Sequence, residues 1–144
     1  MTLPSDDSFD AHLQAAVDLE LWTIPFYMAA MYSIQDPATD AFQLLQSVVF
    51  QEMLHLQLAC NISNAFGVRP RFEAPVYRGR TIPHLDFAKN PQAPLEEFSP
   101  FTAQIGPLDR EHVNAMCLVE YPGWGLLTPA GSLAAGLRAV REYG

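Results

Sequence analysis

Residues 1 to 68 contain no lysine or arginine. Over the whole chain 8 basic side chains stand against 16 acidic ones, the formal net charge is −8, and no basic cluster occurs. Nucleic acids and anionic membrane surfaces both require a positive face, so neither is expected as a partner. Cysteine is also scarce. Cys60 and Cys117 would make at most one bridge, and both lie in apolar helical contexts where cysteine serves as a small hydrophobe, so no disulfide framework is expected. No apolar run approaches the roughly 18 residues of a membrane span. The start Met1-Thr2-Leu3-Pro4-Ser5-Asp6-Asp7 has neither the basic residues nor the apolar stretch of a signal peptide, which makes a cytoplasmic location the expectation. Internal repeats and low-complexity tracts are absent.

What is present is apolar: 49% of the 144 residues are hydrophobic and 11% are aromatic. That is enough to bury a core, and the length suits one domain over residues 1–144. From Phe9 to about Ser33, Leu13, Val17, Ile24, Tyr27 and Met31 recur three or four apart, the period of a helix with one buried stripe. Ser5, Asp6, Asp7 and Ser8 offer N-caps, and Pro25 inside the pattern removes one hydrogen bond and bends the helix without ending it. Asp36-Pro37 reads as a turn with proline at the first position of a second helix. That helix runs from about Pro37 or Thr39 to Phe66, with Phe42, Leu45, Val48 or Val49, Leu56, Ala59, Ile62 and Phe66 on one face and Gly67 as its stop.

Two helices of this length, each about 38 Å long, joined by a short connection, make an antiparallel hairpin over residues 1–67. Residues 68–108 hold seven of the twelve prolines and read as a long irregular crossover with short extended pieces such as Pro75-Val76-Tyr77-Arg78. Two shorter helices complete the chain over 109–144, one from about Asp109 to Glu120 and one after Thr128-Pro129 to about Glu142. The expected class is all-α.

The chemistry concentrates on three residues. Glu20 lies three after Val17 and four before Ile24, which puts it on the buried stripe of the first helix. Glu52 and His55 are three apart on the second helix, neighbours on the face that carries Val48, Val49, Leu56 and Ala59. Two carboxylates on facing apolar stripes are costly unless something compensates their charge, and a divalent cation does so. A Glu from one helix with a Glu-x-x-His from the next is half of a di-iron carboxylate set. Oxygen and imidazole donors suit Fe or Mn, with Zn as a substitute. Without a metal, Glu20 would be a buried acid bonded to Tyr27 or Tyr32, and His55 a core histidine. His12, His84 and His112 have no comparable partners in the sequence and read as structural or exposed. Asp18 points away from the Glu20 stripe and reads as solvated.

The stretch Leu13-Gln14-Ala15-Ala16-Val17-Asp18-Leu19-Glu20-Leu21-Trp22-Thr23-Ile24-Pro25-Phe26-Tyr27, continuing to Ile34, and the stretch Val48-Val49-Phe50-Gln51-Glu52-Met53-Leu54-His55-Leu56-Gln57-Leu58-Ala59-Cys60-Asn61 resemble the ferritin-like domain of the iminophenylpyruvate dimer synthase family, which includes enzymes of bisindole biosynthesis. The similarity spans residues 9 to 67 and thins over the crossover and around Val119-Glu120-Tyr121-Pro122. It implies a ferritin-like helical bundle, metal ligands at Glu20, Glu52 and His55, and an oxidative step on a small-molecule intermediate of specialised metabolism. It also implies a glutamate near Ala135, which this chain lacks, so a full two-metal site is expected from two copies of the chain.

Three functions follow from the residues. A homodimer joins two hairpins into a di-metal oxidase or oxygenase, with Glu20, Glu52 and His55 as ligands and Tyr27 tuning or gating the site. Alternatively, a metal-free cyclase, isomerase or binder uses the same groups as acids and bases beneath a cover carrying Tyr77, Arg78, Arg80 and His84. In the third, a non-catalytic subunit of a larger complex presents an apolar face to another protein.

Overall fold

The computed structural model describes residues 6–86 and 94–121. They form three helices, α1 (Asp6–Tyr32), α2 (Asp40–Ala65) and α3 (Arg110–Val119). Among the described residues no strand forms, and two isolated antiparallel bridges, Arg78 with Thr81 and Ile82 with Leu85, interrupt the crossover. The candidate cap Ser5 and the helix expected after Thr128 lie outside the described residues.

α1 continues through Pro25, as a single missing hydrogen bond permits. The turn that follows differs from the expectation. Pro37 is not the first helical residue; Asp36 folds back to accept a hydrogen bond from the Ala38 N–H (2.9 Å), and Thr39 caps α2 by accepting from the Phe42 N–H. The threonine supplies an oxygen to an orphan N–H, which the proline cannot do. Gly67 closes α2 with φ +78°, the left-handed conformation that glycine adopts without strain. The Val68 N–H then reaches the Ser63 carbonyl (2.9 Å) and the Gly67 N–H that of Asn64 (3.0 Å), a Schellman closure.

The two long helices run antiparallel. Phe9 near the start of α1 meets Phe66 at the end of α2, ring centroids 5.0 Å apart, while Glu20 meets Glu52 and His55 midway. The expected stripe of α1 is only part of what it buries. Val17, Tyr27 and Met31 are buried as anticipated, but so are Trp22, Phe26 and Ala30, on a second face. Trp22 and Phe26 stack at 4.8 Å and meet Tyr77 of the crossover and His112 of α3. α1 is thus the central helix, packed against α2 on one side and against the returning chain on the other. On α2 the opposite correction applies: Leu45, Val49 and Glu52 are buried, whereas Ile62 and Phe66 of the expected stripe are exposed, together with Phe50, Leu54 and Leu58.

The start of the crossover is strapped to α1 by polar contacts. Gln14 donates to the Arg71 carbonyl (2.8 Å) and accepts from the Arg71 N–H (3.0 Å). The Trp22 indole donates to the Val76 carbonyl (3.1 Å), and the Tyr77 hydroxyl donates to the Trp22 carbonyl (2.9 Å). These bonds satisfy backbone groups that an irregular segment would otherwise bury unpaired. No described helix is long and apolar enough to cross a membrane.

Candidate metal centre

Glu20, Glu52 and His55 come together as the helical spacing predicts, each offering one ligand atom within 4.8 Å of the others. Glu52 is the buried member, at 4% exposure. The His55 Nδ1 lies 3.3 Å from Glu52 Oε1 and 3.7 Å from Glu20 Oε2, so one ring nitrogen faces both carboxylates. His55 itself is less enclosed than expected: its side chain is 47% exposed, and among the described residues its neighbours Leu58 and Ile62 on α2 are exposed as well. A recess of about 350 Å³ opens there, lined by Leu13, Leu58, Ala59 and Ile62 as well as Glu20 and His55. The centre therefore sits at the bottom of a mostly apolar opening.

Burial first, and then the adjacent Glu52 carboxylate, push the Glu20 carboxyl from 4.5 up to about 7, with His55 pulling the other way. Two carboxylates this close resist ionising together. A divalent cation removes that conflict, and two oxygens with one imidazole nitrogen are a donor set that suits Fe, Mn or Zn. The residues fit a metal.

The folded-state value of Glu20 lies above its unfolded one, so its contribution to stability is complete below about pH 4.5 and is lost as pH rises through about 7. Chelated protein is accordingly expected to melt at a lower temperature at about pH 8 than at about pH 5, and Fe²⁺, Mn²⁺ or Zn²⁺ to cancel or reverse the difference. Thermal melts at both pH values, with and without chelator, measure this. Equal sensitivity to pH in both states would count against metal binding at Glu20.

Two neighbours were not legible as site residues. The Thr23 hydroxyl donates to Glu52 Oε2 at 2.6 Å and also lies 2.8 Å from the Glu20 carbonyl. It orients the buried carboxylate from the opposite helix, as outer partners of metal ligands do. Its signal in the sequence was its place one turn after Glu20 on the inner side of α1. Glu120, the C-cap of α3, accepts a hydrogen bond from the Tyr27 hydroxyl at 2.7 Å. No local pattern indicates that the end of α3 returns to α1. Tyr27 thus stands outside the three-residue cluster, its hydroxyl committed to Glu120. Burial first, then Glu120, raises its phenol well above the ordinary range.

The remaining candidates divide as follows. His112 is buried and structural, its ring nitrogens facing Asp109 Oδ1 (2.7 Å) and the Gln104 carbonyl (3.0 Å). Asp18 is not simply solvated; it accepts from Gln14 Nε2 (2.8 Å) and pairs with His84 Nε2 (3.2 Å). The crossover residues Tyr77, Arg78, Arg80 and His84 do not line the recess at Glu20 and His55. Tyr77 is bonded to α1, and Arg80 lies over the Phe101 ring, 4.0 Å from its centroid.

Comparison with known proteins agrees with the helical fold. A family profile described as Ferritin-like matches residues 13–137. A ferritin-like protein from Caulobacter vibrioides, known from a crystal structure, is 46% identical and superposes with a TM-score of 0.82. The match covers 89% of this chain and 45% of that one, so the chain spans under half the length of that relative. No functionally curated protein matches.

Proposed function

Because the chain belongs to the ferritin-like family, we propose that it is a metal-dependent oxidase or oxygenase of the di-iron type, with its metal site completed by a second copy of the chain. The observation that carries this reading is the convergence of Glu20, Glu52 and His55 within 4.8 Å from two antiparallel helices. Glu20 and Glu52 would hold the metal through oxygen and His55 through nitrogen, with Thr23 fixing the Glu52 carboxylate; iron in its reduced form, when bound, would supply electrons for reaction with dioxygen. Enclosed between the two copies, the apolar recess would hold a small organic substrate and limit water around the cluster. Tyr27 and Glu120 tune the buried side of α1. An intermediate of specialised metabolism is the substrate class implied by the resemblance to the iminophenylpyruvate dimer synthase family.

Support for the second copy comes from the exposed face of α2. Phe50, Leu54, Leu58 and Ile62 are all exposed, and Leu58 and Ile62 line the opening of the centre. Two such hairpins facing each other about a two-fold axis cover this surface and form four helices with two Glu-x-x-His pairs. Freshly purified protein is expected to carry about one Fe or Mn per chain and to run as a dimer. Metal analysis alongside light scattering checks both. A metal-free dimer with full activity would overturn the metal assignment, and a monomer with full metal content would overturn the shared site.

A further inference from the structure

The crossover strap leaves a second recess, lined by Asp18 and Trp22 of α1 and by Glu73, Arg78 and His84. Asp18 and Trp22 are each two residues from Glu20, about 200° around the helix axis, so this recess and the metal centre lie on opposite faces of α1. They share no lining residue. The recess holds about 320 Å³, at the small end of the range for ligand sites.

Its charged residues are arranged in an unusual way. His84 is the second central residue of the turn from Ile82 to Leu85, which is closed by the Leu85 N–H donating to the Ile82 carbonyl at 3.2 Å. Its φ is +60°, the left-handed region where such a turn normally carries glycine or asparagine after its proline. Glycine would relieve the strain, but it would leave Asp18 without the imidazole that stands 3.2 Å from Oδ2. Both Asp18 oxygens are thereby engaged, one by Gln14 and one by His84. The Glu73 carboxylate and the Arg78 guanidinium have no ion-pair partner among the described residues. The rest of the lining is alanine, proline, valine and threonine.

We propose that this recess binds a small zwitterion of the α-amino-acid class with an apolar side chain. Arg78 takes the carboxylate, Glu73 takes the ammonium group, and the side chain lies against Pro75 and Val76. The Asp18–His84 pair is a positioning element that holds the strained turn as a wall. A recess carrying one unpaired cation and one unpaired anion matches a ligand with both charges, because a singly charged ligand gains only one of the two charge-assisted contacts and leaves the other group to water. This proposal is independent of the metal centre.

The probe is L-leucine, titrated into the 144-residue chain by calorimetry and by NMR, with 4-methylpentanoate and 3-methylbutylamine as analogues lacking the ammonium group or the carboxylate. L-leucine is expected to bind, each analogue at least about tenfold more weakly, and Arg78→Gln and Glu73→Gln each to weaken leucine by at least about tenfold. Arg78 and Glu73 are exposed, so both variants should keep the wild-type melting temperature. His84→Gly should weaken leucine while preserving the turn. The affinity should be the same with and without chelator. Absence of binding at about 20 mM, analogues as tight as leucine, or leucine affinity unchanged by both charge variants would overturn the proposal, as would loss of binding on chelation.

Discussion

Replacing Glu52 by alanine is expected to weaken metal binding by at least about 100-fold while leaving the fold intact. Substitution of an outer partner of a metal ligand already costs about 10–100-fold in affinity, and Glu52 is the proposed direct ligand and the most buried member of the cluster. The fold survives because the same carboxylate is an electrostatic burden when no metal is present. It helps push the Glu20 carboxyl up to about 7, and its ion-pair partner His55 has a half-exposed side chain that water can solvate once the carboxylate is gone. Thr23 also keeps an acceptor, the Glu20 carbonyl at 2.8 Å. Chelated Glu52→Ala should therefore melt within about 1 kcal/mol of chelated wild type, and Glu52→Gln, which keeps the shape, should lose metal as well. Metal titration of the purified variants separates affinity from folding. Full metal occupancy in both variants would remove Glu52 from the centre, whatever their activity.

Trp22→Ala is expected to destabilise the protein by about 3–5 kcal/mol. Trp22 is fully buried, stacks on Phe26 at 4.8 Å, and meets the Tyr77 ring at 5.3 Å. Its indole N–H also satisfies the Val76 carbonyl, so alanine leaves a cavity and an acceptor without its donor. Against a total stability of about 5–15 kcal/mol for a domain, such a loss takes a large share. Trp22→Phe should lose less, since a ring remains to stack while the hydrogen bond and part of the indole's volume are given up. Urea denaturation with the midpoint compared at constant slope measures both. A loss under about 1 kcal/mol for Trp22→Ala would show that the strap does not contribute to the core. The same variant should open the recess floored by Trp22 and leave Glu20, Glu52 and His55 able to bind metal in the folded fraction.

The three-residue cluster was legible because helical spacing is a local property. Glu52 and His55 must be neighbours wherever α2 is helical, and Glu20 follows Val17 by one turn wherever α1 is helical. A short link between two long helices brings them side by side. The degree of burial was less legible: His55 is half exposed because exposure depends on what lies beyond α2, and nothing in α2 itself reports that.

By itself, the sequence determined the helix hairpin, its glycine stop, the identity and spacing of the three clustered residues Glu20, Glu52 and His55, and the absence of lysine and arginine from its first 68 positions. Periods of three to four residues and capping chemistry act within a few turns, so they can be read from adjacent residues. Only the tertiary structure decided the rest. Where the crossover returns settles that Trp22 and Phe26 form a second buried face of α1, that Asp18 meets His84 across 66 positions, that Tyr27 bonds Glu120 across 93, and that Thr23 bonds Glu52 across 29. Such pairings are chosen by the packing of the whole chain against the entropy of closing long loops, and no local pattern encodes that choice.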